Sequence, residues 1–325
     1  MKNIVIIGGG TGTFTLLSGL RKYPTNNTVI VSSADDGGST GILRKELGVF
    51  PPGDIRQCLV GLSYTQSEMQ KLFNFRFDKG GLAGHTVGNI IIAALEKITG
   101  SVESSINIAS KILNVRGAVL PVSLNSTTLS AILKNGKKIV GEHYIDDQNP
   151  KGKTSPIKEL KLSPAKANPK VVKALQDADV IIFGPGDLYT SILPNLLVSG
   201  VKKAINKSEA KKILITNIMT KFGQTDGFRV SNFVEELKKY LGGKLDVVIA
   251  NSKIPDKLQL GKYKKEKAEP VKIDAGNQKK QAANIVKADL LSTATFNKSA
   301  GDKLKRSFLR HDSDKLAKLI WDVIH

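Results

Sequence analysis

Apolar residues in this chain gather in short runs that break on glycines. Lys2-Asn3-Ile4-Val5-Ile6-Ile7 is rich in β-branched side chains and stops at Gly8-Gly9-Gly10-Thr11-Gly12-Thr13. A helix-like pattern covers 14–23. A second run, Thr28-Val29-Ile30-Val31-Ser32-Ser33, then ends at Asp35-Asp36-Gly37-Gly38-Ser39-Thr40-Gly41. The succession of strand, glycine turn, helix, strand and acidic glycine turn predicts the first βαβ unit of a nucleotide-binding sheet. Both turns would lie at the carboxyl ends of neighbouring strands and face one crevice.

Further along, Asp54 is the expected N-cap of a helix beginning at Ile55, which puts Arg56 in its first turn. A helix is expected over 90–98, a strand over 116–122, and a tight hairpin turn at Asn135-Gly136. The α/β alternation resumes with a helix over 170–176 and a strand over 179–183. That strand ends on Gly184-Pro185-Gly186-Asp187-Leu188-Tyr189-Thr190-Ser191, a second strand–glycine–helix turn. A helix over 192–206, a strand over 212–218, a helix over 230–241, a strand over 245–250 and a final amphipathic helix over 316–324 complete the reading. It is an α/β chain: one nucleotide-binding domain over 1–325, with a β-rich insertion at 116–165.

Charge changes the picture first. The formal net charge is +20, which raises the question of nucleic acid. The lysines are spread along the chain, though, and no nucleic-acid-binding motif accompanies them. Attraction for an acidic small ligand, or a lysine-rich proteome, is the more economical explanation, and specific nucleic-acid recognition is not expected. No apolar run approaches the roughly 18–20 residues needed to span a bilayer. Met1-Lys2-Asn3 leads straight into a core strand and leaves no room for a signal peptide, so the expected compartment is the cytoplasm. Cys58 is the single cysteine; it is read as a buried apolar residue and excludes a cysteine-based metal site.

The candidate chemistry sits at the turns. Gly9, Gly10 and Gly12 let backbone approach a phosphate, the following helix offers free N–H groups, and Thr11 and Thr13 add hydroxyls. Asp35 and Asp36, followed by Gly37, Gly38 and Ser39, suit a metal-bridged phosphate, a ribose contact or acid–base work. Asp54 and Arg56 follow, Arg56 being better placed to hold an anion than to favour the helix dipole. His85 and Asn89, four apart, would share a face at a glycine-rich helix start. Gly184, Gly186, Tyr189, Thr190 and Ser191 form the second candidate phosphate turn.

Taken together, Ile7-Gly8-Gly9-Gly10-Thr11-Gly12, Ala34 to Gly41, Pro51-Pro52-Gly53-Asp54-Ile55-Arg56, Gly84-His85-Thr86-Val87-Gly88-Asn89 and Gly184 to Ile192 resemble the YvcK-type gluconeogenesis factors. These are related to the 2-phospho-lactate transferases (CofD). The resemblance runs from residue 4 to about 312 and loosens after 192. It implies a modified Rossmann-like parallel sheet, a cytoplasmic location and binding of a nucleotide diphosphate. For the YvcK branch the ligand is a UDP-sugar, with roles in carbon metabolism and cell-wall and shape maintenance. For the transferase branch it is a nucleotide diphosphate donor used with magnesium, which Asp35 and Asp36 would hold. The resemblance also suggests that the C-terminal segment holds the nucleotide. Tyr263 could stack on uracil and Arg310 could fork a pyrophosphate. Departures are Asp187 where the family commonly has serine, Lys221-Phe222-Gly223-Gln224-Thr225 for Gln-Pro-Gly-Glu-Thr, and Asn232-Phe233 for Asp-His. A missing carboxylate and imidazole favour a non-catalytic sensor, with no cofactor required, over a magnesium-dependent transferase. Regulatory protein partners and a homo-oligomer are left open.

Overall fold

Alternate side chains of the central strands enter two different apolar cores. In β1 (Lys2–Ile7), Ile4 and Ile6 join one core while Val5 and Ile7 join the other. A strand covered on both faces needs an apolar residue at every position, which is why the runs in the sequence are continuous. The computed structural model describes residues 1–325 except 66, 149–151, 153, 275–283 and 295–307.

Besides β1, the strands are β2 (Thr25–Val31), β3 (Ala118–Pro121), β4 (Leu129–Leu133), β5 (Lys138–Val140), β6 (Ile157–Leu162), β7 (Val180–Phe183), β8 (Lys211–Ile215), β9 (Val247–Asn251) and β10 (Asn284–Ala288). Seven form one sheet in the order β10-β9-β8-β7-β1-β2-β3. Every neighbouring pair in it is parallel. Ile7 stands level with Ile30 on one side and Phe183 on the other, so the turns after these strands begin at one height. The chain leaves β1 towards β3 and returns on the other side through β7, making the β1/β7 boundary a topological switch point.

The helices are α1 (Gly10–Leu20), α2 (Gly38–Leu47), α3 (Pro52–Leu62), α4 (Ser67–Asn74), α5 (Val87–Thr99), α6 (Val102–Ile112), α7 (Glu142–Asp146), α8 (Pro169–Gln176), α9 (Leu193–Leu197), α10 (Val201–Lys207), α11 (Val230–Leu241) and α12 (Lys257–Lys264), followed by the C-terminal helix Ser313–Ile324. Residues of α1, α3, α5, α6 and the C-terminal helix fill one core, with Cys58 buried on α3. The other core takes residues of α8 to α11. Among the described residues no helix is long and apolar enough to cross a membrane.

Three expectations change. Ala118–Pro121 pairs with β2 as an edge strand of the main sheet, so the added piece is the antiparallel sheet β5-β4-β6 with α7. Its Leu129, Ala131 and Leu160 pack into the same core as Val5 and Ile7. The single helix expected over 192–206 is a π-helical turn, Leu188–Ile192, then α9 and α10. Pro194 falls in the first turn of α9, where a proline is tolerated, and would not be in the interior of a longer helix. Helix α3 begins at Pro52 with Pro51 as N-cap, so Asp54 lies within the first turn and Arg56 beyond it.

Candidate functional site

The two glycine turns meet at the switch point. A Cβ on Gly12 would lie 2.5 Å from the Pro185 carbonyl oxygen, so only glycine allows this approach. Thr13 donates its hydroxyl to the same oxygen at 3.3 Å, which ties the turns together and takes Thr13 out of ligand contact. Helix α1 starts here with no side-chain cap and no acid in its first turn. Its first N–H groups therefore point their dipole at the space in front. That space is a cavity of about 280 Å³, lined by Gly9, Gly10, Thr11, Gly12, Asp35, Gly37, Asp54, Gly186, Thr190, Ser191, Tyr263 and Arg310 among the residues anticipated from sequence. The volume is near the lower end for small-molecule sites.

Adjacent Asp35 and Asp36 have separate duties. Asp35 lines the cavity and accepts the Gly37 N–H at 3.0 Å. Burial pushes its carboxyl above the usual range, against the bonds from Gly37 and Thr40. Asp36 turns away. It accepts the N–H groups of Glu142 and His143 at 3.2 and 2.8 Å, and its Oδ1 lies 3.0 Å from His143 Nδ1. Asp36 thus caps α7 from more than a hundred residues away. With both oxygens engaged it does not fit a metal-ligand role. Among the described residues no group of three or more His, Cys, Asp or Glu could hold a metal ion.

Clamped in this way, α7 brings Glu142, His143 and Asp146 to the cavity wall. Burial, then the charges of Asp146, Asp35 and Asp54, hold the Glu142 carboxyl well above its ordinary value. Opposite, Lys221 bonds Asp146 and also Asp187, the latter at 2.8 Å. Burial works against the ammonium, but the two carboxylates outweigh it and raise the Lys221 pKa. Burial likewise opposes ionisation of Asp146, yet Lys221 holds its pKa below the ordinary value. The acid that stands in the second turn where the family commonly has serine is therefore one arm of an ion-pair triad. The other departures are also structural. Gln224 donates to the Ile145 carbonyl at 3.3 Å, Asn232 accepts the Arg229 N–H at 2.9 Å, and Phe233 is core.

A second group of anticipated residues does not line the cavity. Arg56 is buried, donating from Nε to Asn89 Oδ1 at 3.0 Å and also bonding Asn74. Asn89 donates to Ser39 Oγ at 3.2 Å, and His85 Nδ1 lies 3.0 Å from the same oxygen. These four residues buttress α2, α3 and α5 behind the site, and Arg56 holds side-chain carbonyls there. Gly38, Gly184 and Tyr189 are also absent from the lining. The Tyr189 phenol is buried and its pKa raised, by burial first and then by Glu236.

The far wall comes from the C-terminal part. Tyr263 is 3% exposed and packs with Ile218, Met219, Leu291 and Leu309. Its hydroxyl accepts the Leu309 N–H at 2.8 Å. The ring belongs to the wall and to a small apolar core at once. Arg310 lines the cavity, and its carbonyl accepts the Ser292 N–H at 3.0 Å. Asn217 to Phe222, Glu266 and His311 complete this side and were not singled out as binding residues from the sequence. The turn after β8 carried a signal, since it follows a strand end like the other two turns; α7 and His311 carried none.

Seven described carboxylate residues line the cavity (Asp35, Asp54, Glu142, Asp146, Asp147, Asp187 and Glu266), against the cations Lys221 and Arg310. The +20 charge is therefore not concentrated here, and phosphate attraction would rest on backbone N–H groups.

Residues 4–291 match the family model described as 2-phospho-L-lactate transferase CofD. A gluconeogenesis factor of Halalkalibacterium halodurans is 44% identical over 278 residues, 84% of each chain. The gluconeogenesis factor of Bacillus subtilis is 39% identical over 326 residues, covering 99% of this chain and 98% of that one. A crystal structure of a member of the UPF0052 family from Bacillus halodurans, 39% identical, superposes with a TM-score of 0.89 over 98% of this chain and 99% of that one.

Proposed function

The chain belongs to the CofD family, on its gluconeogenesis factor side, and from that premise we propose that it is a regulatory protein that binds a UDP-sugar. In this reading it acts in the cytoplasm on carbon metabolism and on cell-wall and shape maintenance, through protein partners. The observation that carries the reading is the meeting of two glycine turns at the switch point, with the uncapped start of α1 facing the cavity. A pyrophosphate matches that combination of close backbone and the N–H groups of a helix start. The far wall, where Tyr263 and Arg310 stand, would receive the rest of the nucleotide.

Binding without turnover is favoured by the state of the polar groups. The Thr190 hydroxyl donates to Asp146 at 3.1 Å, and Asp146 is held ionised by Lys221, which makes it a weak base. A transferase acting on a nucleotide diphosphate donor is the second reading. It is favoured by Asp35, Asp54 and Glu142 lining the same cavity as the first glycine turn. Its magnesium would be held at Asp35, and the ion would neutralise phosphate charge.

Calorimetry with UDP-glucose, followed by chromatography of the same mixture after prolonged incubation with magnesium, tests both readings. Binding with the ligand recovered intact supports the sensor. Consumption of the ligand replaces it with the transferase, and absence of binding removes UDP-sugars. Arg310→Ala should weaken binding at least tenfold, about 1.4 kcal/mol.

A further inference from the structure

His311 stands in the cavity wall, 7% exposed. Backbone fixes its place: Arg310 and Asp312 on either side pair with Ser292 and Leu290, and His311 itself bridges Leu291. The ring bonds the carbonyl of Thr216, just past β8, and burial pushes the imidazole down to about 4. It is therefore neutral across the physiological range. A neutral imidazole has one N–H donor and one bare nitrogen. The Thr216 carbonyl takes the donor, and Nε2 is left buried with no hydrogen-bond partner among the described residues. Apolar Ile218, Met219 and Leu309 form the neighbouring cluster. A buried acceptor without a donor costs as much as a lost hydrogen bond, so such atoms call for a partner.

Building on the nucleotide reading above, we propose that His311 determines specificity by accepting a hydrogen bond from a ring N–H of the bound base. The site then prefers uracil, whose imide N–H is a donor, over a pyrimidine with a lone pair at that position. His311 cannot serve as a phosphate-binding cation, because the neutral ring carries no charge. A site that spends a buried acceptor on a ligand donor rejects analogues lacking that donor far more strongly than an apolar pocket does.

Calorimetry with UDP, CDP and N3-methyl-UDP tests the assignment on the parent protein, His311→Phe and His311→Gln. The parent should bind UDP at least tenfold more tightly than either analogue. His311→Phe, with ring volume but no acceptor, should bring UDP down to the level of N3-methyl-UDP. His311→Gln, whose amide oxygen reaches a similar place, should keep most of the preference. Equal binding of UDP and N3-methyl-UDP by the parent overturns the assignment while leaving the nucleotide reading standing, as does an undiminished preference in His311→Phe. If that variant does not fold, the parent's own comparison decides. A parent that binds no uridine nucleotide overturns the nucleotide reading and this assignment with it.

Discussion

The two sides of the cavity are built by different means. The glycine side is made of backbone. β1, β2 and β7 run parallel and level, and the turns after them have no choice but to meet. The far side is made of side chains drawn from 142–148, 217–222, 263–268 and 309–311. Its shape depends on bonds such as Asp36 to α7, Lys221 to Asp146 and Asp187, and Tyr263 to Leu309. A backbone cradle can be damaged only by added volume. A side-chain wall fails one bond at a time, and each failure is graded.

The largest effect on binding should come from the backbone side. Gly12→Val places carbon against the Pro185 carbonyl and separates the turns. Nucleotide affinity should fall at least a hundredfold, about 2.7 kcal/mol, with circular dichroism still showing a folded α/β protein. Affinity within threefold of the parent would mean that the turns do not form one cradle.

On the far side, His311 makes stability depend on pH. Its folded pKa of about 4 lies below the ordinary 6.5, so the unfolded chain binds the extra proton first. The contribution is fully present above pH 6.5 and is lost as pH falls towards 4, roughly 3 kcal/mol in all. Asp35 and Glu142, with raised values, slope the opposite way. The readout is therefore the difference between parent and His311→Gln in urea unfolding at pH 7.5 and pH 4.5. An identical pH slope in the two proteins would contradict the burial of a neutral ring.

Smaller again is Lys221→Met, which leaves Asp146 and Asp187 facing each other. Both are partly solvated, with side-chain exposures of 27% and 34%, so the loss should be about 2 kcal/mol, less than for a fully buried pair. Adding Asp187→Asn should restore part of it. Purely additive losses in the double variant would show that the triad is not coupled.

The smallest effect belongs to Asp36→Asn, which keeps shape and removes charge from the cap of α7. A loss of about 1 kcal/mol is expected, with proteolysis between α7 and β6 becoming faster. Unaltered proteolysis would mean that the antiparallel sheet alone holds α7 in place. Tyr263→Ala is a poor probe of ligand stacking by comparison. The side chain is 3% exposed, and truncation should unfold the wall before it reports on binding.

Much of the glycine side is legible in the sequence, because its determinants are local. Continuous β-branched runs announce strands covered on both faces, Asn135-Gly136 announces the β4–β5 hairpin, and the amphipathic stretch Val230–Leu241 has the bounds expected for it. Glycines after β1 and β7 mark the cradle, since only a residue without Cβ lets the two turns touch. What tertiary structure alone decided is which polar side chains face the cavity. Asp35 and Asp36 are neighbours in sequence, yet one lines the site and the other caps a helix more than a hundred residues away. Arg56 looks like an anion holder until Asn74 and Asn89 take its donors, and Asp187 reads only as a departure from the family's common serine until Lys221 pairs with it. His311 has no distinguishing neighbours along the chain; its neutrality comes from burial, which outweighs the opposing bond to Thr216, 95 residues upstream. Spacing along a chain encodes periodicity and turn chemistry, whereas a hydrogen bond between distant segments exists only once the sheet has brought them within reach.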